Sequence, residues 1–514
     1  MHPAADFKLK RGKDNMKRMS KFAMTAMLVL GLATAAQAAD MKASGSFQID
    51  ATSSDNPFFN GASNTSKTND FRIEQRVRTA FQFIANENLK GVLETQIGSD
   101  SWGNGPYQIS AGRTPSTSAT GVNSAGAGNI MLRKAYIDYK WPGTSINVLA
   151  GFQTVTLPTA FGTSSILDDQ VGALVVAAPI TDNVKVVAGY ARPYDSNTAG
   201  ATATVQGSGT GSNVVFATLP VSLAGETNIT PFGVYANVGQ QSVASNNAGV
   251  ITNTGALAAL GFSSPHALKS GSDGASAYWG GVAFSTKLLD PFKLMADVNY
   301  GSADYNSRTS GGRSGWLADL AVDYTGLSFM TPEAFFVYTT GDDSGSSHND
   351  GGRMPMLGNP QGSLVGGSMF FGNTDMITRT AGSAASSSTT GAGGAVLNSM
   401  GFWTAGVALK DISFIDKLTH RVNIMYVQGT NNKDAFVGAT NTATAIYGSY
   451  LTTRDSLWEI DVNTKYKIYD ELSLMLNLGY INADLHQFNG ITPSANADLS
   501  DNAYRASLSM VYAF

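Results

Sequence analysis

The sequence predicts an all-β fold, a transmembrane antiparallel up-and-down β-barrel, and three observations carry that prediction. Only 14% of the 514 residues are charged, where a soluble globular domain usually carries about 25%. Stretches that alternate apolar with polar residues recur along almost the whole chain. The links between them are short and long in turn, as in a barrel with tight turns at one rim and long loops at the other. Hydrophobic residues make up 43% and aromatics 10%, too many for a disordered chain, yet the mean hydropathy is only −0.06. The apolar content is therefore spread out. Beyond the N-terminal region no segment offers 18 uninterrupted apolar residues, so no spanning helix is expected.

The N-terminal region, residues 1–38, reads as a secretory signal peptide with its core at 16–38. A basic stretch M-K-R-M-S-K begins at Met16, a largely apolar stretch of 15 residues runs from Phe22 to Ala36, and Ala36-Gln37-Ala38 is an A-x-A cleavage site ending at Ala38. A permanent anchor is the alternative, but it needs about 20 apolar residues. Residues 1–15 read either as an extended basic region or as the result of an upstream start codon, so that the start is Met1 or Met16. Removing residues 1–38, with seven basic and two acidic side chains, leaves 27 basic and 36 acidic ones and a net charge of −9. That balance argues against nucleic acid as a partner. Cysteine is absent, which removes disulfides and thiolate metal sites. Residues 39–514 are read as a single barrel domain.

Within that domain the strands follow in order. The first is predicted at 43–51. The second, F-R-I-E-Q-R-V-R-T-A-F-Q-F within 71–85, puts Phe71, Ile73, Val77, Phe81 and Phe83 on one face and Arg72, Glu74, Arg76, Arg78 and Gln82 on the other; period two is the strand signal. The turn N-E-N leads to 89–98, a long link to 130–141, P-G-T to 145–155, and a further link to 171–180. T-D-N then joins 184–192, followed by 213–223, 228–239 and 276–288. L-D-P turns into 292–302, and 314–325 alternates Trp316, Ala318, Leu320, Val322 and Tyr324 against Asp319 and Asp323. After 333–340 a link of more than 50 residues, rich in Gly, Ser, Thr and Asn, leads to 400–412 and 418–429. The strand 454–468 opposes Trp458, Ile460, Val462, Tyr466 and Ile468 to Glu459, Asp461, Lys465 and Lys467, and Y-D-E joins it to 472–483; 502–514 is the last. The short links are tight-turn chemistry. The count is eighteen, or sixteen if 213–223 and 333–340, the weakest patterns, are not strands.

In lipid every backbone polar group needs an internal partner, so a sheet spans only as a closed barrel. The apolar faces then point outward and the polar faces inward. A secreted β-sandwich or β-solenoid, such as a surface adhesin or structural protein, is the alternative. A solenoid needs a fixed short repeat, which is not visible, and a sandwich has no use for the asymmetry of link lengths.

The last strand, N-A-Y-R-A-S-L-S-M-V-Y-A-F, places Tyr504, Ala506, Leu508, Met510, Tyr512 and the terminal Phe514 on one face. Here the chain resembles bacterial outer-membrane proteins, whose final strand ends in an aromatic residue after alternating apolar positions. With the signal peptide and the L-R-K-A-Y-I-D-Y stretch at 132–139, it is similar to trimeric porins, most of all to the homotrimeric porins of sulfate-reducing bacteria. The resemblance implies an outer-membrane location, a homotrimer, no cofactor, and passive diffusion of small hydrophilic solutes. It also implies that Tyr512 and Phe514 form the signal read by the barrel-assembly machinery. A substrate-selective channel is the second functional reading.

A barrel of sixteen to eighteen strands encloses an aqueous channel. The alternation points Arg72, Arg76, Arg78, Lys134, Arg421 and Arg505 inward, and closure brings Arg505 beside the Arg72, Arg76 and Arg78 row. In the porins it resembles, such a row faces acids on an inward-folded third loop. By that resemblance the loop is 156–170 with Asp168 and Asp169, while Asp297, Asp319 and Asp323 on the far wall form a second acidic set. Opposed charges across a narrow gap orient water and dipolar solutes.

No enzyme reading survives. Phosphate cradles and G-x-S-x-G are missing, and His266, His348, His420 and His486 lack metal spacing. His420 alone near a strand start does not make a barrel phospholipase. Asp342, Asp343, Asn349 and Asp350 in the seventh loop could hold Ca²⁺ but lack the ligand spacing of a calcium loop; a solvated acidic loop is the other reading.

Overall fold

The structure is a computed structural model. It describes residues 40–55, 70–102, 130–194, 212–239, 274–305, 312–343, 351–357, 363–371, 401–434, 451–486 and 502–514, with short strands at 244–245, 250–252 and 268–269. The signal segment with its Ala38 site, and Asn349 and Asp350, lie outside the described residues.

The wall consists of β1 (Asp40–Asp55), β2 (Asp70–Asn86), β3 (Leu89–Ser101), β4 (Ile130–Lys140), β5 (Asn147–Thr156), β6 (Asp168–Thr181) and β7 (Val184–Tyr194). It continues with β8 in two pieces (Ser212–Thr218 and Val221–Leu223), β9 (Thr227–Gly239), β10 (Gly274–Leu289), β11 (Phe292–Tyr305) and β12 (Gly312–Tyr324). It ends with β13 (Thr331–Thr339), β14 (Phe402–Ile415), β15 (Leu418–Gly429), β16 (Ser456–Lys467), β17 (Leu472–Asp484) and β18 (Asn502–Ala513). Each strand pairs antiparallel with its sequence neighbours, and β18 pairs with β1, so the sheet closes. Eighteen wall positions match the expected count. Both strands with weak patterns are present. The one at 213–223 breaks at Leu219 and Pro220 because proline has no N–H for the ladder; both pieces pair with β7 on one side and β9 on the other.

The outer face is apolar and banded. Aromatic residues recur eight positions apart at Phe292 and Tyr300, Trp316 and Tyr324, Trp458 and Tyr466, and Tyr504 and Tyr512. Along a strand eight residues span about 27 Å. Strand tilt brings this close to the apolar band of about 25 Å of an outer-membrane barrel, flanked by aromatic girdles. The girdles are continuous in places. Tyr300 meets Trp316 at 4.7 Å between ring centroids, Trp403 meets Tyr426 at 5.3 Å, and Tyr426 meets Trp458 at 5.0 Å.

At the seam the Gly45 N–H donates to the Phe514 carbonyl at 2.9 Å and the Phe514 N–H returns a bond to Gly45 at 3.0 Å. The Phe514 ring packs on Phe47 and Tyr512. A Cβ at Gly45 would strike the Arg78 carbonyl and the Phe514 ring. Gly45→Val is therefore expected to prevent closure, seen as loss of the compact heat-modifiable form on gels; a normally migrating variant would count against the seam geometry.

One expectation needs correcting. The interior is not polar throughout. Inward residues of β5–β12, among them Val155, Val171, Val214, Phe216, Val234, Trp279 and Leu317, are buried in one apolar cluster. Phe335, Val337, Phe402, Met425, Val427, Leu457 and Ile481 of β13–β17 belong to a second, together with Met295 of β11, Ala321 of β12 and Ala503 of β18. These inward apolar residues are covered by loops rather than by water, and neither cluster takes a residue from β1–β4.

Candidate functional site: the lumen and its inward loops

The inward faces of β18 and β1–β4 carry a row of charge. Arg72, Arg76 and Arg78 stand opposite Thr52, Gln48 and Ser46 across the β1–β2 ladder, and Arg505 stands opposite Ser54 across the seam. The closure thus sets Arg505 beside the β2 arginines. Arg76 Nη2 donates to Gln48 Oε1 at 2.6 Å, Arg78 Nε to Gln96 Oε1 at 2.8 Å, and Arg72 lies 3.7 Å from Glu74. On β4, Lys134 Nζ is 2.8 Å from Glu94 Oε2. Asp50, Glu74, Glu94 and Asp138 are among the acids of this wall.

The third loop, residues 157–167, turns inward from β5 and crosses to β11, nine wall positions from β2 and so on the opposite side. Asp297 on β11 receives it. The Ala160 N–H donates to Asp297 Oδ1 at 2.8 Å, the Phe161 N–H to Oδ2 at 2.9 Å, and the Thr159 hydroxyl to Oδ2 at 3.0 Å. Phe161 stacks on Phe335 of β13 at 5.7 Å. The ends of the loop are tied by Asp168, which accepts from the Thr156 hydroxyl at 2.6 Å and the Thr163 hydroxyl at 2.8 Å.

A second crossing follows from the seventh loop. Its residues 351–357 lie under β10, where Trp279 Nε1 donates to the Pro355 carbonyl at 2.7 Å, and the Leu357 N–H donates to Ile166 of the third loop at 2.7 Å. Residues 363–371 reach β15 and β16. Glu459 Oε1 accepts from the Ser368 hydroxyl at 3.0 Å and from the N–H groups of Met369 at 2.5 Å and Phe370 at 3.0 Å. Asp461 accepts a further bond from Met369 at 3.1 Å. Asn423 and Asn463 donate to the carbonyls of Gly366 and Gly367 at 2.9 Å and 3.0 Å. Phe370 and Phe371 are each 1% exposed. The two loops touch at Gly162, whose φ of +64° and whose approach to the Leu364 carbonyl leave no room for a side chain. At the outer rim, Asp455 receives Thr452 and the His486 N–H, and burial raises its pKa above the ordinary carboxylate value against those hydrogen bonds.

The predicted residues therefore separate into three sets. Arg72, Arg76, Arg78, Lys134 and Arg505 share one wall with Glu74 and Glu94. Asp168 and Asp297 lie at the crossing loop, but both carboxylates are occupied as acceptors for it. Asp319 is paired across the ladder with Asp297 and accepts its N–H at 3.1 Å. Asp169 is half-buried and interacts electrostatically with Arg133. Asp323 and Arg421 lie apart, in a network on β12–β15: Lys410 Nζ is 2.6 Å from Asp323 and 2.8 Å from Glu333, and Arg421 is 3.4 Å from Glu333. Tyr512 and Phe514 lie on the outer face at the seam. His420 Nδ1 lies 2.9 Å from the Thr464 hydroxyl. Asp342, weighed as a calcium ligand, is 2% exposed and holds Arg313 at 3.3 Å and Arg353 at 3.0 Å. Two guanidinium groups on one carboxylate are the wrong neighbours for a cation, and no metal-binding group is found among the described residues.

Glu459, Asp461, Lys410, Glu333 and Arg133 were not singled out by sequence reasoning. For Glu459 and Asp461 the signal was present, as inward acids on a strand with no basic residue in register on either neighbour. Such acids are free to accept loop N–H groups. Arg133 had no signal, because a bulge places it.

No protein-family profile and no curated protein matches the chain. Among solved structures it is similar to Pseudomonas aeruginosa OpdQ, at 11% identity and a TM-score of 0.47, with 92% of this chain and 98% of that one covered. It is likewise similar to P. aeruginosa OprD, at 11% identity, TM-score 0.48 and coverage of 92% and 95%. For Acinetobacter baumannii OccAB4 the values are 10%, 0.48, 92% and 98%.

Proposed function

We propose that this protein is an outer-membrane porin, exported with its signal peptide removed at Ala38, through which small hydrophilic solutes and ions diffuse passively. The observation that supports it is the row of inward arginines on β18 and β1–β4 inside a closed barrel with a bilayer-sized apolar outside. Closure also leaves no place for the sandwich or solenoid alternatives. The expected assembly is a homotrimer of the kind found in sulfate-reducing bacteria, a reading carried by the last-strand pattern and the stretch at 132–139. No enzymatic step and no cofactor belong to this function.

The two tied loops favour a second reading, a substrate-selective channel, since they cross the lumen and are anchored on its inward carboxylates. Single-channel recording in planar bilayers, with reversal potentials and a solute size series, tests both. Conductance that saturates and is blocked by one solute class supports the selective channel; conductance graded only by size supports the general porin. No conductance at all would remove both.

The arginine row sets the expected ion preference. A unit charge acts on an ion about 4 Å away with about 1 kcal/mol even in bulk water. Arg72→Ala/Arg76→Ala/Arg78→Ala is therefore expected to shift the permeability ratio toward cations by about fivefold or more. An unchanged reversal potential would refute the assignment of the row.

A further inference from the structure

Strict alternation along β4 would point Lys134 into the lumen and Arg133 into lipid. The ladder with β3 shows otherwise. Glu94 pairs with Lys134, Thr95 with Leu132, and Arg133 is the extra residue of a bulge. Both side chains reach the same carboxylate, Arg133 Nε at 3.1 Å from Glu94 Oε1 and Lys134 Nζ at 2.8 Å from Oε2. Arg133 Nη1 also donates to Gln96 Oε1 at 3.1 Å, the atom that accepts Arg78 Nε at 2.8 Å. Arg133 interacts electrostatically with Arg76 and Arg78 on β2 and with Asp169, where the third loop returns to the wall. Its side chain is 18% exposed, against 30% for Lys134. It thus stands where the basic row meets the loop, more enclosed than its neighbour and less open to screening by solvent ions.

We propose that Arg133, turned inward by the β4 bulge, is a specificity-determining residue of the channel. It extends the β2 arginine row to the third loop, so that anions are favoured across the whole breadth of the gap rather than along one strand. This rests on the channel reading above, and the test separates the two.

The chain has no cysteine, so Arg133→Cys gives a single thiol whose charge is set by reagent in one folded protein. Wild type and variant are compared in bilayers for anion-to-cation permeability ratio, with heat-modifiable migration as the folding check. The expected ratio falls about twofold in Arg133→Cys, returns with a cationic aminoethyl methanethiosulfonate, and falls further with the anionic sulfonatoethyl reagent. A conducting channel whose ratio ignores all three states overturns the role of Arg133 while leaving the porin reading intact; so does a thiol unreactive from the aqueous side. A wild type that never conducts removes both. If Arg133→Cys does not fold, Arg133→Lys and Arg133→Gln take its place, and equal ratios for that pair overturn the proposal.

Discussion

Asp297→Ala is expected to release the third loop and raise the mean conductance of the channel, with frequent transitions to a larger open state. One carboxylate holds the N–H groups of Ala160 and Phe161 and the hydroxyl of Thr159. Hydrogen bonds to a charged acceptor contribute about 1.5–3 kcal/mol each, and every ~1.4 kcal/mol lost multiplies the detached population about tenfold. The Phe161 stack on Phe335 remains, so the loop is loosened rather than unfolded. Asp297→Asn keeps an acceptor oxygen but loses the charge and is expected to lie between. Single-channel recording reads the difference. Wild-type conductance and noise in Asp297→Ala would show that Asp297 does not hold the loop.

A second expected result has a different readout. Glu459→Ala removes the acceptor for Ser368, Met369 and Phe370, leaving the Met369 bond to Asp461 and the bonds from Asn423 and Asn463 to Gly366 and Gly367. Residues 363–371 should then detach from β15 and β16, exposing Phe370 and Phe371. Limited proteolysis should cut within this segment in the variant while the wall stays intact, and conductance should rise. Glu459→Gln, which preserves shape and one acceptor oxygen, should be cut more slowly. Equal resistance of wild type and Glu459→Ala to protease is the outcome that contradicts this anchoring.

The wall was legible in the sequence because strand formation in a barrel depends on period two, and that period survives in single stretches such as Trp316 to Tyr324. All eighteen positions follow from it, including the broken β8. The lumen was legible only in part. Alternation says that Asp297, Glu459 and Asp461 point inward; it does not say that they accept from backbone N–H groups more than 80 residues away. Nor does it show that inward positions of β5–β12 are apolar because loops cover them. Val234, Trp279 and Leu317 alternate with outward Tyr235, Tyr278 and Trp316, so both faces read as hydrophobic and the pattern cannot rank them. Arg133 was invisible for a stricter reason. A bulge is one residue out of phase, and the phase was the signal.

The seam at Gly45 and Phe514 has a kinetic consequence. Every other wall contact joins strands adjacent in sequence and can form as local hairpins, whereas β1 and β18 bring together the two ends of the folded wall. Until they meet, the sheet has two open edges whose N–H and C=O groups have no partner, which in lipid is prohibitive and in water invites pairing with other chains. Ring closure is therefore expected to be the last step of maturation. A chaperone that held the edge of β18 until β1 arrived would act on the rate of that step and leave the finished barrel unchanged.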